Sequence, residues 1–273
     1  MASVRVCLWR HSTLPHNDGF NICTGVLELS HLPPDYSNHD ALYRKFRERG
    51  GNGWNNEQAQ AYQEMLQFIS PELPTIKHGT PVHTLEIGCG AGNFSILLAQ
   101  HGFRVTGVDI SPTAIEWANE RASPVSKDVS FRVDNVLNLG TCDDEMFDLV
   151  VDGHCLHCII GEDRASCLAA IWRVLKAGGS FVVLTMCGEV TNQSMLKSFD
   201  HDRKVTLHQG QPTRYIGDVD AIVSEITSAG FVPETVRVVA RKDADDMDNL
   251  IIRARKPAEV SRNWVQAVTR KAI

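Results

Sequence analysis

The sequence predicts an α/β fold: a doubly wound, mostly parallel seven-stranded sheet with a C-terminal antiparallel hairpin. Three observations carry this. Short apolar runs alternate with segments of helical period between residues 76 and 230, the pattern of a parallel sheet covered by helices on both faces. A glycine-rich turn at 88–92, "GCGAG", joins the first such run to the first such helix. Near the end, two strand-like runs are separated only by the acidic segment "KDADDMD", too short for a crossover, so they must pair antiparallel.

The elements follow in order. Residues 1–37 show no period and carry turn chemistry in "LPHNDG" and "HLPPDYS", so they read as an irregular extension. Residues 38–75 read as a helical segment, "HDALYRKFRER" and then "NEQAQAYQEMLQFI". Tyr62, Met65, Leu66 and Ile69 give the second helix one apolar face. The "GGNGWNN" between the two helices is a break ending in Asn, a good N-cap. The strands expected next are 81–88, 103–110, 129–136, 146–153 and 180–188. Between them lie the helices "NFSILLAQHG", "SPTAIEWANERA" and "EDRASCLAAIWRVLK". Ser111 followed by Pro112 matches an N-cap with proline at the first helical position, and Gly178 and Gly179 are expected to end the third helix. The helix "DVDAIVSEITSAG" leads into the hairpin strands "FVPETVRVVAR" and "NLIIRARK", and residues 257–273 form a tail.

Composition excludes several function classes. The 27 basic and 33 acidic residues give a net charge of −6 with no Lys/Arg cluster, which argues against a nucleic-acid partner. No run of about 18 apolar residues is present to span a membrane. The N-terminus lacks the pattern of a cleaved signal. A cytoplasmic setting is therefore expected, with the eight cysteines as free thiols.

The glycine-rich turn sits at the end of the first strand, preceded by Glu86, and Asp109 ends the next strand 17 residues after Gly92. A nicotinamide-dinucleotide fingerprint needs Gly or Ala where this chain has Asn93, and a carboxylate beside a pyrophosphate is repulsive. The pattern suits a ligand carrying an ammonium group instead. With "EIGCGAGN", "GVDIS", "VDNV", "FDLVVDGH" and "VLKAGGSFVV" in this order, residues 76–256 resemble the class I S-adenosylmethionine-dependent methyltransferases. The likeness is to their small-molecule branch, in which a helical N-terminal segment acts as a lid over a Rossmann-like domain. The resemblance implies S-adenosylmethionine as cofactor. It implies Glu86, Gly88, Cys89 and Gly90 around the methionyl part, Asp109 on the ribose, and Ile110 against the adenine. Asp134, Asn135 and Val136 follow the third strand at the adenine edge. Trp54, Tyr62 and Arg47 are candidates from the N-terminal segment for the methionyl carboxylate.

Methyl transfer requires a nucleophile held in line with the methyl, water excluded, and a base where the acceptor carries a proton. The loops after the fourth and fifth strands, "DGHCLHCIIGEDR" and "TMCGEV", are where the acceptor is expected, with 199–218 as a cover. His154, His157 and Glu189 are the candidate catalytic bases, and His208 is a rival. Arg214 and Tyr215 are candidates for an acidic substrate group. Cys155, Cys158 and Cys187 admit three readings: zinc-type ligands, a thiol- or metalloid-binding set, or small packing residues. Only one CxxC pair exists, so no resident metal is expected. The expected partner is a small-molecule acceptor, its methylated atom (O, N or S) left open. A non-catalytic cofactor-binding module and a protein methyltransferase are the alternatives.

Overall fold

The computed structural model describes residues 33–51, 53, 58–69, 81–122 and 127–258 of the 273. Helices α1 (Asn38–Glu48) and α2 (Gln58–Ile69) come first. Then follow β1 (His83–Ile87), α3 (Asn93–Gln100), β2 (Arg104–Asp109), α4 (Pro112–Ala122), β3 (Val129–Val133), β4 (Phe147–Gly153), α5 (Asp163–Val174) and β5 (Leu175–Cys187). A short α6 (Gln193–Leu196) precedes a small antiparallel sheet of β6 (Phe199–Asp200), β7 (Val205–His208) and β8 (Gln211–Tyr215). Helix α7 (Val219–Ser228) and strands β9 (Val232–Val239) and β10 (Asp248–Arg255) end the described chain. The expected N-cap Asn56, most of the N-terminal extension and the tail from 259 lie outside the described residues.

The main sheet has the order β3-β2-β1-β4-β5-β10-β9. Its first five strands run parallel, and β10 pairs antiparallel with both β5 and β9. Side chains alternate between the two faces, as strand geometry requires. Leu85, Ile87, Val150, Phe181 and Val183 meet α5 and α7, whereas Leu149, Val151, Val182 and Leu184 meet α2 and α3. The apolar face read from α2 is buried here: Met65 and Ile69 are both fully covered. Each such side chain contributes about 1.5–3 kcal/mol of burial.

Two expectations are corrected. Gly178 and Gly179 do not end α5. The helix stops at Val174, the chain runs directly into β5, and the glycines sit in a bulge where Phe147 pairs with Leu175 and Leu149 with Ser180. The third strand stops at Val133, because Asp134 turns to organise the loop that follows.

The strand order reverses between β1 and β4, so the turns after these strands diverge and leave a crevice at their carboxyl ends. This places "GCGAG" beside "DGHCLHC".

Candidate active site

A cavity of about 840 Å³ opens at this switch point. That volume lies within the roughly 300–1,000 Å³ of small-molecule sites. Its walls include the Gly88–Gly90 turn, Asp109, Ile110, Asn135, His154 and His157.

The turn after β1 needs glycine for two reasons. Gly88 and Gly90 have φ of +61° and +54°, a region that side chains disfavour. A Cβ on Gly90 would also lie 2.2 Å from the Tyr43 hydroxyl, and one on Gly88 2.6 Å from Cys155. Asp109 is buried at the end of β2 and accepts the N–H groups of Gly90 and Ser111, both at 2.9 Å. Burial raises its pKa, partly offset by those two bonds. Each oxygen accepts one described N–H and keeps acceptor capacity toward the cavity.

Glu86 behaves differently from the sequence reading. It is buried, is absent from the cavity wall, and accepts the Ser95 hydroxyl of α3. Burial pushes its pKa up to about 8 against that hydrogen bond. Tyr62, stacked on Phe94 with ring centroids 4.8 Å apart, lines the cavity on the same side of β1. Asp134 is likewise drawn away. It accepts from Asn135, Gly140 and Thr141 backbone N–H groups and from the Thr141 hydroxyl at 2.6 Å. Its neighbours Asn135 and Val136 line the cavity instead.

The "DGHCLHC" stretch closes β4 and makes one 3-10 turn, Leu156–Cys158. Asp152 holds this turn by accepting the N–H groups of Cys155 and Leu156, and burial pushes its pKa up to about 7. His154 has φ +81°, unusual outside glycine, while its N–H reaches Leu184 O at 3.1 Å. Such a conformation costs about 1–3 kcal/mol and concentrates at functional sites. It brings His154 to the cavity, edge-on to His157 at 5.4 Å between ring centroids. Burial pushes the His154 pKa down to about 4 and that of His157 well below its ordinary value. Both rings are therefore neutral at pH 7. The Nδ1 atom of His157, a residue 4% exposed, is buried with no hydrogen-bond partner.

Other expectations fail on position. Glu189 is exposed and off the cavity, and His208 is exposed in the β7–β8 hairpin. Tyr215 lies under the Arg164 guanidinium, 4.3 Å from the ring centroid, rather than in the cavity. Arg47 pairs with Glu116 and Glu120 on α4. Trp54 lies outside the described residues. Cys187 is fully buried in the core between β5 and its helices, so it does not join Cys155 and Cys158, which do line the cavity. Burial holds the thiol of Cys155 well above its ordinary pKa and those of Cys158 and Cys187 at about 11, so the nucleophilic thiolate is suppressed. The metalloid reading therefore loses both its cluster and its reactive form. Among the described residues no His/Cys/Asp/Glu group is arranged to hold a metal.

Sequence reasoning missed the side chains that build the walls. Arg164, 4% exposed, donates to Leu156 O and Ile159 O and forks onto Glu225. Asp40 of α1 accepts the Ser111 hydroxyl at 2.7 Å and the Thr113 N–H at 2.9 Å, tying α1 to the start of α4. Burial opposes its ionisation, but those bonds hold its pKa at about 2. Ser111 also caps α4 as expected, accepting from Ala114 N at 3.0 Å. Tyr36 accepts the Ile160 N–H and donates to Asp163. The one local signal was Asp152, two residues before His154 at a strand end.

Comparison with known proteins agrees with this geometry. The family profile described as a methyltransferase domain matches residues 85–183. Nodulation protein S of Rhizobium tropici is 27% identical over 191 residues, 69% of this chain and 70% of that protein. The 2-methyl-6-phytyl-1,4-hydroquinone methyltransferase of Synechocystis is 37% identical over 115 residues, 41% of this chain and 33% of that protein. The structure of the Burkholderia thailandensis 1,6-didemethyltoxoflavin-N1-methyltransferase shares the fold, with a TM-score of 0.61 and 19% identity over 81% of this chain and 86% of that one. It was solved with bound 1,6-didemethyltoxoflavin and S-adenosylhomocysteine. Residues 85–183 thus match the methyltransferase-domain family, and the chain shares its fold with solved S-adenosylmethionine-dependent methyltransferases. No helix among the described residues is long and apolar enough to cross a membrane.

Proposed function

We propose that this protein transfers the methyl group of S-adenosylmethionine to a proton-bearing oxygen or nitrogen of a small acceptor held against His154 and His157. The observation that carries the reading is the continuity of one cavity from the Gly88–Gly90 turn and Asp109 to the two histidines. The residues fit the cofactor. Asp109 is a buried carboxylate with acceptor capacity for ribose hydroxyls. Ile110, 37% exposed at the cavity wall, offers an apolar surface to the adenine, with Asn135 and Val136 beside it. Gly88, Cys89 and Gly90 approach the methionyl part closely, while Glu86 and Asp134 hold the turn and loop rather than the ligand. When bound, the cofactor supplies an electrophilic methyl on its sulfonium.

The chain contributes position and a proton acceptor. Neutral His154 accepts the acceptor's proton as its heavy atom bonds to the methyl carbon. Burial keeps that ring unprotonated beforehand. Helices α1 and α2 serve as the lid of the cofactor-binding domain that follows them. The reading also assigns the enzyme to the cytoplasm, supported by the six described cysteines, all free thiols.

Calorimetric titration with S-adenosylmethionine and S-adenosylhomocysteine tests the assignment. Wild-type protein binds both. Asp109→Asn binds about 10–100-fold more weakly, since hydrogen bonds to a charged group contribute about 1.5–3 kcal/mol. No binding of either ligand refutes the cofactor site. Binding without methyl transfer to any member of a phenol, amine and thiol panel turns the reading to a non-catalytic module.

A further inference from the structure

The acceptor end of the cavity holds a cation that methyl transfer itself does not require. Arg214, near the end of β8, lines the cavity and is half-buried, and its guanidinium makes no hydrogen bond or ion pair among the described residues. Arg164, Arg173 and Arg241, in contrast, each hold a carboxylate. The orientation of Arg214 is built in. Adjacent strand residues point to opposite faces, and Tyr215 is pinned beneath Arg164, so Arg214 is presented to the cavity. Strand β8 packs on the turn that carries His157 and Cys158.

The surroundings show what this guanidinium awaits. Its charge reaches His39, His154 and His157, and all three rings are driven toward the neutral form, so Arg214 supplies the positive charge here. His39 and His157 each keep a buried Nδ1 without a hydrogen-bond partner. These are polar positions a ligand can satisfy without adding charge. The carboxylates of the β9–β10 loop at the rim, Asp243, Asp245 and Asp246, form no ion pair with Arg214. A half-buried guanidinium with no protein carboxylate is an uncompensated charge, and a planar fork matches carboxylate and phosphate oxygens.

We propose that Arg214 is the anion-recognition residue of the acceptor site, and that the acceptor carries a carboxylate or phosphate group. The guanidinium binds that group in its fork and leaves the acceptor's nucleophile facing His154. The planar fork of Arg214, set among neutral imidazoles, matches the two oxygens of a carboxylate, which favours that group. The inference rests on the methyl-transfer reading above.

The test uses protein saturated with S-adenosylhomocysteine and titrated with benzoate, phenyl phosphate and benzamide, the last an uncharged analogue of benzoate. Benzoate is expected to bind at least tenfold more tightly than benzamide. Arg214→Gln abolishes that preference, and Arg214→Lys keeps part of it. Neither variant breaks a described contact of Arg214, so melting temperature and S-adenosylhomocysteine affinity stay at wild-type values. Phenyl phosphate binding more tightly than benzoate assigns the anion to phosphate and upholds the role of Arg214. Benzamide binding as well as benzoate overturns the proposal. So does an unchanged preference in Arg214→Gln, or binding of none of the three by protein that binds S-adenosylhomocysteine. Failure to bind S-adenosylhomocysteine counts against the methyltransferase reading instead.

Discussion

Replacing Arg164 by Met should loosen the Leu156–Cys158 turn more than any surface change, because one side chain ties three elements together. Its guanidinium donates to Leu156 O at 2.6 Å and Ile159 O at 3.1 Å, on either side of His157. It also forks onto Glu225 of α7 at 2.6–3.1 Å and covers the Tyr215 ring of β8. Methionine keeps the stem volume and deletes every donor. Each lost charge-assisted bond to a buried carbonyl costs about 1.5–3 kcal/mol. The lost cation–π contact costs about 0.5–2 kcal/mol. Glu225 is 31% exposed, so water recovers much of its interaction and the ion pair adds little. Together these terms give about 4–8 kcal/mol, at or above the roughly 3–5 kcal/mol for breaking a buried pair from one side. Urea unfolding followed by circular dichroism at pH 7.5 measures it, with an unchanged m value confirming that the folded state is intact. Glu225→Gln, which leaves both carbonyl bonds in place, should cost about 1 kcal/mol by the same ledger of exposed pairs. A loss below about 1 kcal/mol for Arg164→Met would refute the argument that this side chain organises the turn.

Two further outcomes follow from the site. The His154 pKa falls from 6.5 to about 4 on folding, so the unfolded chain binds more protons between those values. Its contribution to stability is undiminished above pH 6.5 and declines as pH drops toward 4, by on the order of 1–2 kcal/mol at pH 5. His154→Gln should therefore gain stability relative to wild type between pH 7.5 and 5; parallel stability curves for the two proteins would disprove the buried neutral imidazole. Cys158, with its thiol at about 11, should react with iodoacetamide at pH 8 at least tenfold more slowly than free cysteine, followed by mass spectrometry of the intact and digested protein. Alkylation as fast as free cysteine would revive a reactive thiol at the cavity wall.

The primary sequence determined the sheet, its hairpin and the glycine-rich turn, because these rest on local periods and on glycines at positions of positive φ. The five parallel strands, the apolar face of Met65 and Ile69, the Ser111 cap and the placement of Gly88, Gly90 and Asp109 were all readable from neighbours within a few residues. Only the tertiary structure decided which polar side chains face the cavity. Glu86 and Asp134 have the right type and position, yet Ser95 from α3 and the 135–141 loop claim their oxygens. Tyr215 and Arg214 are adjacent, and strand alternation with Arg164 above one ring sends them to opposite sides. The "DGHCLHC" stretch offered five polar or sulfur side chains of equal promise. Asp152 holding the turn and the positive φ of His154 select the two imidazoles and leave Cys155 packed on Gly88. Periodicity reports which face of an element is apolar, whereas the direction of a polar group depends on partners distant in sequence.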